Sequence, residues 1–178
     1  MTRSLTWSSG TIPGNTTVIN TLLRQVTIQR RNRIGVLLVA LQFALMLVLP
    51  ALATPTVLKG HVPVGAVALA ALSLGLFLWT LLHNKLGNFN IRPTPKSWGM
   101  LVTTGPYQQI RHPMYTSVML GAASFASMSE PLLGWLAWTT LAAILLFKST
   151  LEERWMSEVH PSYDSYRRES KRFIPWVF

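Results

Sequence analysis

Cysteine is absent from the chain. That excludes a disulfide framework, thiolate metal sites and a cysteine nucleophile, and it leaves the redox compartment open, since a chain without thiols is tolerated in either. Charge is scarce: Asp, Glu, Lys and Arg make up 12% of the residues, about half the ~25% usual in soluble domains. Since 49% are hydrophobic, water is not the only solvent this chain meets. Acid is scarcer still, with six Asp and Glu against sixteen Lys and Arg for a net charge of +10. Such a balance points either to nucleic acid or to membrane orientation. Internal repeats, low-complexity tracts and flexible linkers are also missing, so the sequence reads as one membrane domain over 1–178, divided into 1–33, 34–83 and 84–178.

Four apolar stretches are present, from Ile34 to Leu52, Val64 to Leu82, Met114 to Met128 and Leu132 to Phe147. The first two reach the roughly 20 residues that cross about 30 Å of hydrocarbon. The last two are shorter and are separated by Glu130 and Pro131, which predicts a tight hairpin. With four spans, five basic residues precede the first, one (Lys59) lies in the first loop, four in the second, none in the third and six after the fourth. Fifteen of sixteen then share one side, the pattern of the positive-inside rule with both termini cytoplasmic. Basic residues that follow topology in this way do not form one continuous basic face, so no nucleic acid partner is expected. The expectation is an all-α polytopic membrane protein with about four transmembrane helices and an N-terminal interfacial helix. Its expected location is a prokaryotic inner (plasma) membrane.

Residues Met1 to Asn15 lack the apolar core of a secretory signal peptide. From Thr16 to Arg33, Val18, Ile19, Leu22, Leu23 and Val26 recur at helical spacing ahead of a basic cluster, which suits a helix on the inner leaflet or a plain stop-transfer flank. Pro55, Gly60 and Pro63 mark Ala53 to Pro63 as an external turn. His61 within it has no partner for a metal site. The segment from His83 to Pro113 is long for a connection beside a membrane and is the expected functional loop.

Chemistry gathers at the two ends of the hairpin. Pro113 suits the first turn of a helix, which puts His112 at the cap, and the N–H groups of such a helix start favour an anion. Arg111 adds a fixed positive charge there. At the hairpin's other end, Glu152 and Glu153 are adjacent carboxylates that need positive or donor-rich neighbours. Lys148 stands four residues earlier, on the same helix face as Glu152. Taken singly, each residue also has an ordinary role, as topology anchor, solvated helix surface or belt aromatic.

Together, Leu101-Val102-Thr103-Thr104-Gly105-Pro106-Tyr107, Arg111-His112-Pro113-Met114-Tyr115, Glu152-Glu153, Tyr163, Tyr166 and Arg172-Phe173-Ile174-Pro175 form a signature. It resembles the C-terminal half of the isoprenylcysteine carboxyl methyltransferase and phospholipid methyltransferase superfamily, over about Leu86 to Trp176. The resemblance implies a cytosolic pocket for S-adenosylmethionine, formed by a loop and the C-terminal helix, with a lipidic acceptor entering from the bilayer among membrane lipids. It implies cofactor binding by Val102, Gly105, Tyr107, Arg111, His112, Pro113, Tyr115, Glu152, Glu153 and Tyr166. Lys148, Glu152 and Arg172 would be catalytic, with Lys148 and Arg172 orienting an acidic substrate group; no metal is implied. The chain departs from relatives at Lys148, where eukaryotic carboxyl methyltransferases carry Arg, and at Val159-His160-Pro161-Ser162, where Phe-Gly is frequent.

Two other readings predict different ligands. Sterol and steroid reductases resemble this superfamily in their C-terminal helices and use NADPH, and a non-enzymatic membrane subunit could keep the same fold. Nothing near the motif is decisively a general base; His160 is a candidate, although a histidine at an interfacial turn is more often simply solvated.

Overall fold

The computed structural model describes residues 13–84 and 101–178. Most of the expected functional loop, residues 85–100, and most of the N-terminal tail lie outside the described residues. The described chain is all-α: α1 (Pro13–Leu58), α2 (Val64–His83), a 3-10 turn (Gly105–Gln108), α3 (Pro113–Ser127), α4 (Pro131–Val159) and α5 (Tyr163–Glu169). Three stretches are long and apolar enough to cross a membrane: Val18–Leu58, Val64–His83 and Pro131–Val159. The third expected span is present as α3, but its 15 residues rise only about 22 Å, short of a full hydrocarbon layer.

The chain forms two compact units, Met1–Ile34 and Gly35–Phe178. In the first, Val18, Ile19, Leu22, Leu23 and Val26 are all exposed along one continuous helix. The expected external turn from Ala53 to Pro63 is shorter than its expected bounds, because α1 runs through Pro50 and Pro55 to Leu58. Membrane helices tolerate interior proline better than soluble ones do, and Thr54 Oγ1 donates back to the Pro50 carbonyl at 2.9 Å within this stretch.

Within Gly35–Phe178, α2 and α3 approach through small residues, as helices do where no hydrophobic force separates protein from lipid. Ser73 Oγ donates to the Ser117 carbonyl at 2.7 Å and Ser124 Oγ to the Ala66 carbonyl at 2.7 Å. The α3–α4 hairpin is tight for identifiable reasons. Glu130 caps α4 by accepting the Leu133 N–H at 2.8 Å, with Pro131 in the first turn. A Cβ on Gly134 would come within 2.7 Å of the Ala126 carbonyl. Leu49 of α1 joins Ala122 and Ala126 of α3 and Leu141 and Leu145 of α4 in the buried core.

Helix lengths place the polar end of this hairpin. Were Glu130 at one face of a bilayer, the 15 residues of α3 would reach about 22 Å into about 30 Å of hydrocarbon, and the backbone before Pro113, in contact with Glu153 of α4, would sit below the other face. Irregular backbone at that depth must be satisfied by protein, and the C-terminal segment does so. Arg111 and His112 N–H groups donate to the Lys171 and Arg172 carbonyls at 2.7 and 3.1 Å, and the Lys171 N–H donates to the Gln109 carbonyl at 2.9 Å.

Candidate functional site

The start of α3, the second half of α4 and the segment after α5 converge on Glu153, whose side chain is 2% exposed. Its Oε1 accepts from Arg111 Nε at 2.8 Å, His112 Nε2 at 3.2 Å and Arg172 Nε at 3.2 Å. Its Oε2 accepts from the terminal nitrogen of Arg172 at 2.9 Å and faces Arg167 Nε at 3.7 Å. A carboxylate buried this deeply requires such company. Arg111 is further committed, since its terminal nitrogen donates to the Arg167 carbonyl at 3.1 Å and to the Ser170 carbonyl. The anion at the helix start marked by Arg111, His112 and Pro113 is thus the chain's own Glu153.

Glu152 is differently placed. Its side chain is 26% exposed, its Oε2 accepts from the Tyr115 hydroxyl at 2.9 Å, and His112 Nδ1 lies 3.6 Å away. Among the described residues Oε1 has no hydrogen-bond partner. The Tyr115 ring stacks on His112 with centroids 5.3 Å apart and planes 1° from parallel. One turn earlier on α4, Lys148 is buried, donates to Gln42 Oε1 at 2.8 Å and lies 5.1 Å from the Tyr115 ring centroid. Lys148, Glu152, His112 and Tyr115 therefore form one neighbourhood; Arg172 belongs to the Glu153 cluster.

The motif glycine has a packing reason. Gly105 has φ of +61°, and a Cβ there would fall 2.4 Å from ring atoms of His83, so the turn seats directly on the end of α2. Tyr107, beside it, has its phenol pushed up to about 12 by burial, with the Glu152 charge adding to the shift. Its carbonyl accepts the Tyr166 hydroxyl at 2.7 Å. Burial likewise raises the Tyr163 and Tyr166 phenols, so all three are hydrogen-bond donors at neutral pH. Val102 is half-buried on the extended approach to the turn and Pro113 is buried at the start of α3. His61 and His160 lie outside the cluster: His61 is exposed in the α1–α2 connection and His160 follows α4.

Gln42 was not anticipated. It is the one polar side chain between Ile34 and Leu52, and a polar residue inside an apolar span is itself a signal of a buried partner.

A separate cavity of about 510 Å³ lies between α1, α2 and α3, lined by Met46, Leu49, Phe77, Ser117 and mostly aliphatic neighbours. It is apolar and sits toward the hairpin turn from the charged cluster, so it suits hydrocarbon rather than a polar cofactor.

The sequence model of the phospholipid methyltransferase family matches residues 64–162, more than half of the chain. The chain belongs to this family. The match takes in α2, α3, all of α4 and the Arg111-to-Tyr115 and Glu152-Glu153 residues just described, and leaves α1 and the C-terminal strap from Tyr163 onward outside. The nickel-cobalt-cadmium resistance protein NccN of Alcaligenes xylosoxydans xylosoxydans is 35% identical over 83 residues, covering 42% of this chain and 36% of that protein. The cobalt-zinc-cadmium resistance protein CzcN of Cupriavidus metallidurans is 34% identical over 77 residues, covering 42% and 35%. The matched part thus covers little more than a third of these curated relatives. Among the described residues, no group of three His, Cys, Asp or Glu side chains could hold a metal ion.

Proposed function

We propose that this chain is an integral membrane methyltransferase that moves a methyl group from S-adenosylmethionine to a lipidic acceptor. The observation that carries the reading is the convergence, within the family-matched residues, of Glu152, His112 and Tyr115 at the polar end of a membrane hairpin. Among the described residues, one Glu152 carboxylate oxygen has no hydrogen-bond partner and suits a ligand. The donor set fits the cofactor. An amino group or ribose hydroxyls suit that oxygen, the aromatic face of Tyr107 suits a cation, and a carboxylate suits Arg167. Arg167 is 52% exposed, and its terminal nitrogens have no partner among the described residues.

When bound, S-adenosylmethionine supplies an electrophilic methyl on a sulfonium. The chain then has to orient the two reactants and exclude water. In this reading Tyr115 holds Glu152 in place through its hydroxyl, and His112 buttresses Tyr115 by stacking. The Glu153 cluster ties the C-terminal strap over Arg111 and His112. Val102, Gly105 and Tyr107 form the facing wall, and Tyr166 fixes that wall through the Tyr107 carbonyl. The acceptor enters laterally from the bilayer on the cytosolic side, where fifteen of the sixteen basic residues would lie. The family match gives no support to an NADPH-dependent reductase.

Titration calorimetry with S-adenosylmethionine on the detergent-purified chain tests this. Micromolar binding is expected, weakened about tenfold or more in Glu152→Ala, consistent with the loss of one charge-assisted contact. Absence of binding by the wild type, or unchanged affinity in Glu152→Ala, would overturn it.

A further inference from the structure

After Arg172 the strap continues as Phe173-Ile174-Pro175-Trp176-Val177-Phe178, a run of apolar and aromatic side chains. Phe173 is buried against His112, with ring centroids 5.8 Å apart, whereas Ile174, Trp176, Val177 and Phe178 are all exposed. The strap runs beside the start of α3 in the same direction, as the parallel bridge of Ile110 with Lys171 shows. The Arg111 N–H meets the Lys171 carbonyl and the His112 N–H meets the Arg172 carbonyl; one helical turn on, Thr116 Oγ1 donates to the Phe173 carbonyl at 3.0 Å. Each step along the strap is thus a step along α3 toward the hairpin turn. Thr116 lies about 6 Å past His112 at 1.5 Å per residue, so in a bilayer this direction leads from the aqueous surface toward hydrocarbon.

The backbone of the run is closed on itself. Phe173 and Ile174 N–H groups donate to the main-chain oxygen of Phe178 at 2.7 and 2.6 Å, and Val177 and Phe178 N–H groups donate to the Ile174 carbonyl at 3.2 and 3.1 Å. Pro175 has no N–H, so among the described residues only the Trp176 N–H lacks an acceptor. A loop in water has no need of such closure; backbone leaving water does. Pro175, the Val177-to-Ile174 bond and a φ of +63° at Trp176 make a type II turn, whose third position favours glycine. This chain places there a tryptophan that is 82% exposed. Strain is kept where glycine would relieve it, and what it presents outward is a large amphipathic ring.

We propose that residues 173–178 form an interfacial anchor, with Trp176 at the headgroup level and Ile174, Val177 and Phe178 against the acyl chains, and that this anchor fastens the strap across Glu153. The partner is the lipid surface, because the run is tied to the start of a membrane hairpin and is preceded by exposed Arg168 and Lys171, which suit anionic headgroups. The family-matched residues stop at 162, so the anchor lies outside the family match, and it does not depend on the methyltransferase reading.

The test is depth measurement on the full chain in nanodiscs of phosphatidylcholine and phosphatidylglycerol. Val177→Cys, which leaves Trp176 in place, is labelled with the fluorophore NBD and quenched either by lipid-borne nitroxide or by aqueous iodide. Ser165→Cys, exposed on α5, is the aqueous control. Position 177 is expected to be quenched about threefold more by the lipid quencher than position 165 is, and about threefold less by iodide. Ile174→Cys should repeat the result from the other side of the turn. Adding Trp176→Gly, which suits the positive φ, should raise iodide quenching at 177 about twofold or more and speed hydrogen exchange at the Arg111 and His112 amides. Iodide quenching at 177 equal to that at 165 overturns the anchor, and protection from both quenchers, the sign of a protein cover, overturns it too. Unaltered exchange in Trp176→Gly overturns the fastening of the strap.

Discussion

Glu153→Gln separates scaffold from site, because it keeps the shape of the side chain and removes the charge that three guanidinium groups share. Arg111 and Arg172, whose side chains are 9% and 17% exposed, lose their anion. Removing one partner of a buried ion pair costs about 3–5 kcal/mol, chiefly through the charge left behind. The amide oxygen of Gln still accepts one hydrogen bond, which places the expected loss near the lower end, about 3 kcal/mol. For a chain of this size each kcal/mol lowers Tm by about 2–4 °C, so a fall of about 6–12 °C is expected. Glu152→Gln is the control: a quarter-exposed carboxylate holding one hydrogen bond from a neutral phenol should cost about 1 kcal/mol, or about 2–4 °C. Thermal unfolding in detergent followed by tryptophan fluorescence reads both. A Glu153→Gln midpoint within 2 °C of wild type, on the scale of about 2–4 °C per kcal/mol, would refute the assignment of Glu153 to the scaffold; so would a Glu152→Gln variant that falls equally far.

Gly105→Ala should destabilise by about 1–3 kcal/mol through overpacking on His83 and about 1 kcal/mol more through its positive φ. The double variant with His83→Ala should recover the first part only, and full recovery would show that φ is not a constraint. Tyr166→Phe removes the hydroxyl that holds the Tyr107 carbonyl, for a loss of about 1 kcal/mol on the same melting assay; an unchanged midpoint would mean the strap is held elsewhere. Because burial raises the Tyr107 phenol from 10 to about 12, the folded state favours the protonated form. Stability should hold below pH 10 and decline as pH rises toward about 12, and Tyr107→Phe should flatten that decline. The absence of native cysteine permits single-cysteine depth mapping. Arg154→Cys should react quickly with an aqueous maleimide in proteoliposomes and Phe147→Cys, two turns nearer the hairpin on the same face, slowly; equal rates would contradict the depth deduced from the length of α3.

Apolar patterning made α2 and α3 legible almost to the residue, since each is bounded by Pro or by a change to polar sequence: Val64 to Leu82 against Val64–His83, and Met114 to Met128 against Pro113–Ser127. The same signal ended α4 at Phe147, twelve residues early. Lys148, Glu152 and Glu153 lie past that apolar run, yet they bond across to α1, α3 and the segment after α5, so the helix continues. For α1 the rule that proline ends a helix failed, since the helix runs through Pro50 and Pro55 to Leu58, as membrane helices tolerate interior proline. The juxtaposition of His112 with Glu152 and Glu153 follows from the hairpin alone. What the sequence did not reveal was which partner each charge would choose: Arg111 reads as a grip for an outside anion, and the geometry gives it an inside one.

Those partner choices have one origin in the shortness of α3. In a bilayer, a helix of that length would end about 8 Å short of the hydrocarbon boundary and leave the polar segment before Pro113 below the membrane surface. Every backbone N–H and every guanidinium carried there must find a protein acceptor. The Lys171 and Arg172 carbonyls take the backbone groups, and Glu153 takes the guanidinium groups. Glu153 is thereby saturated, so Glu152 is the carboxylate that can still turn outward.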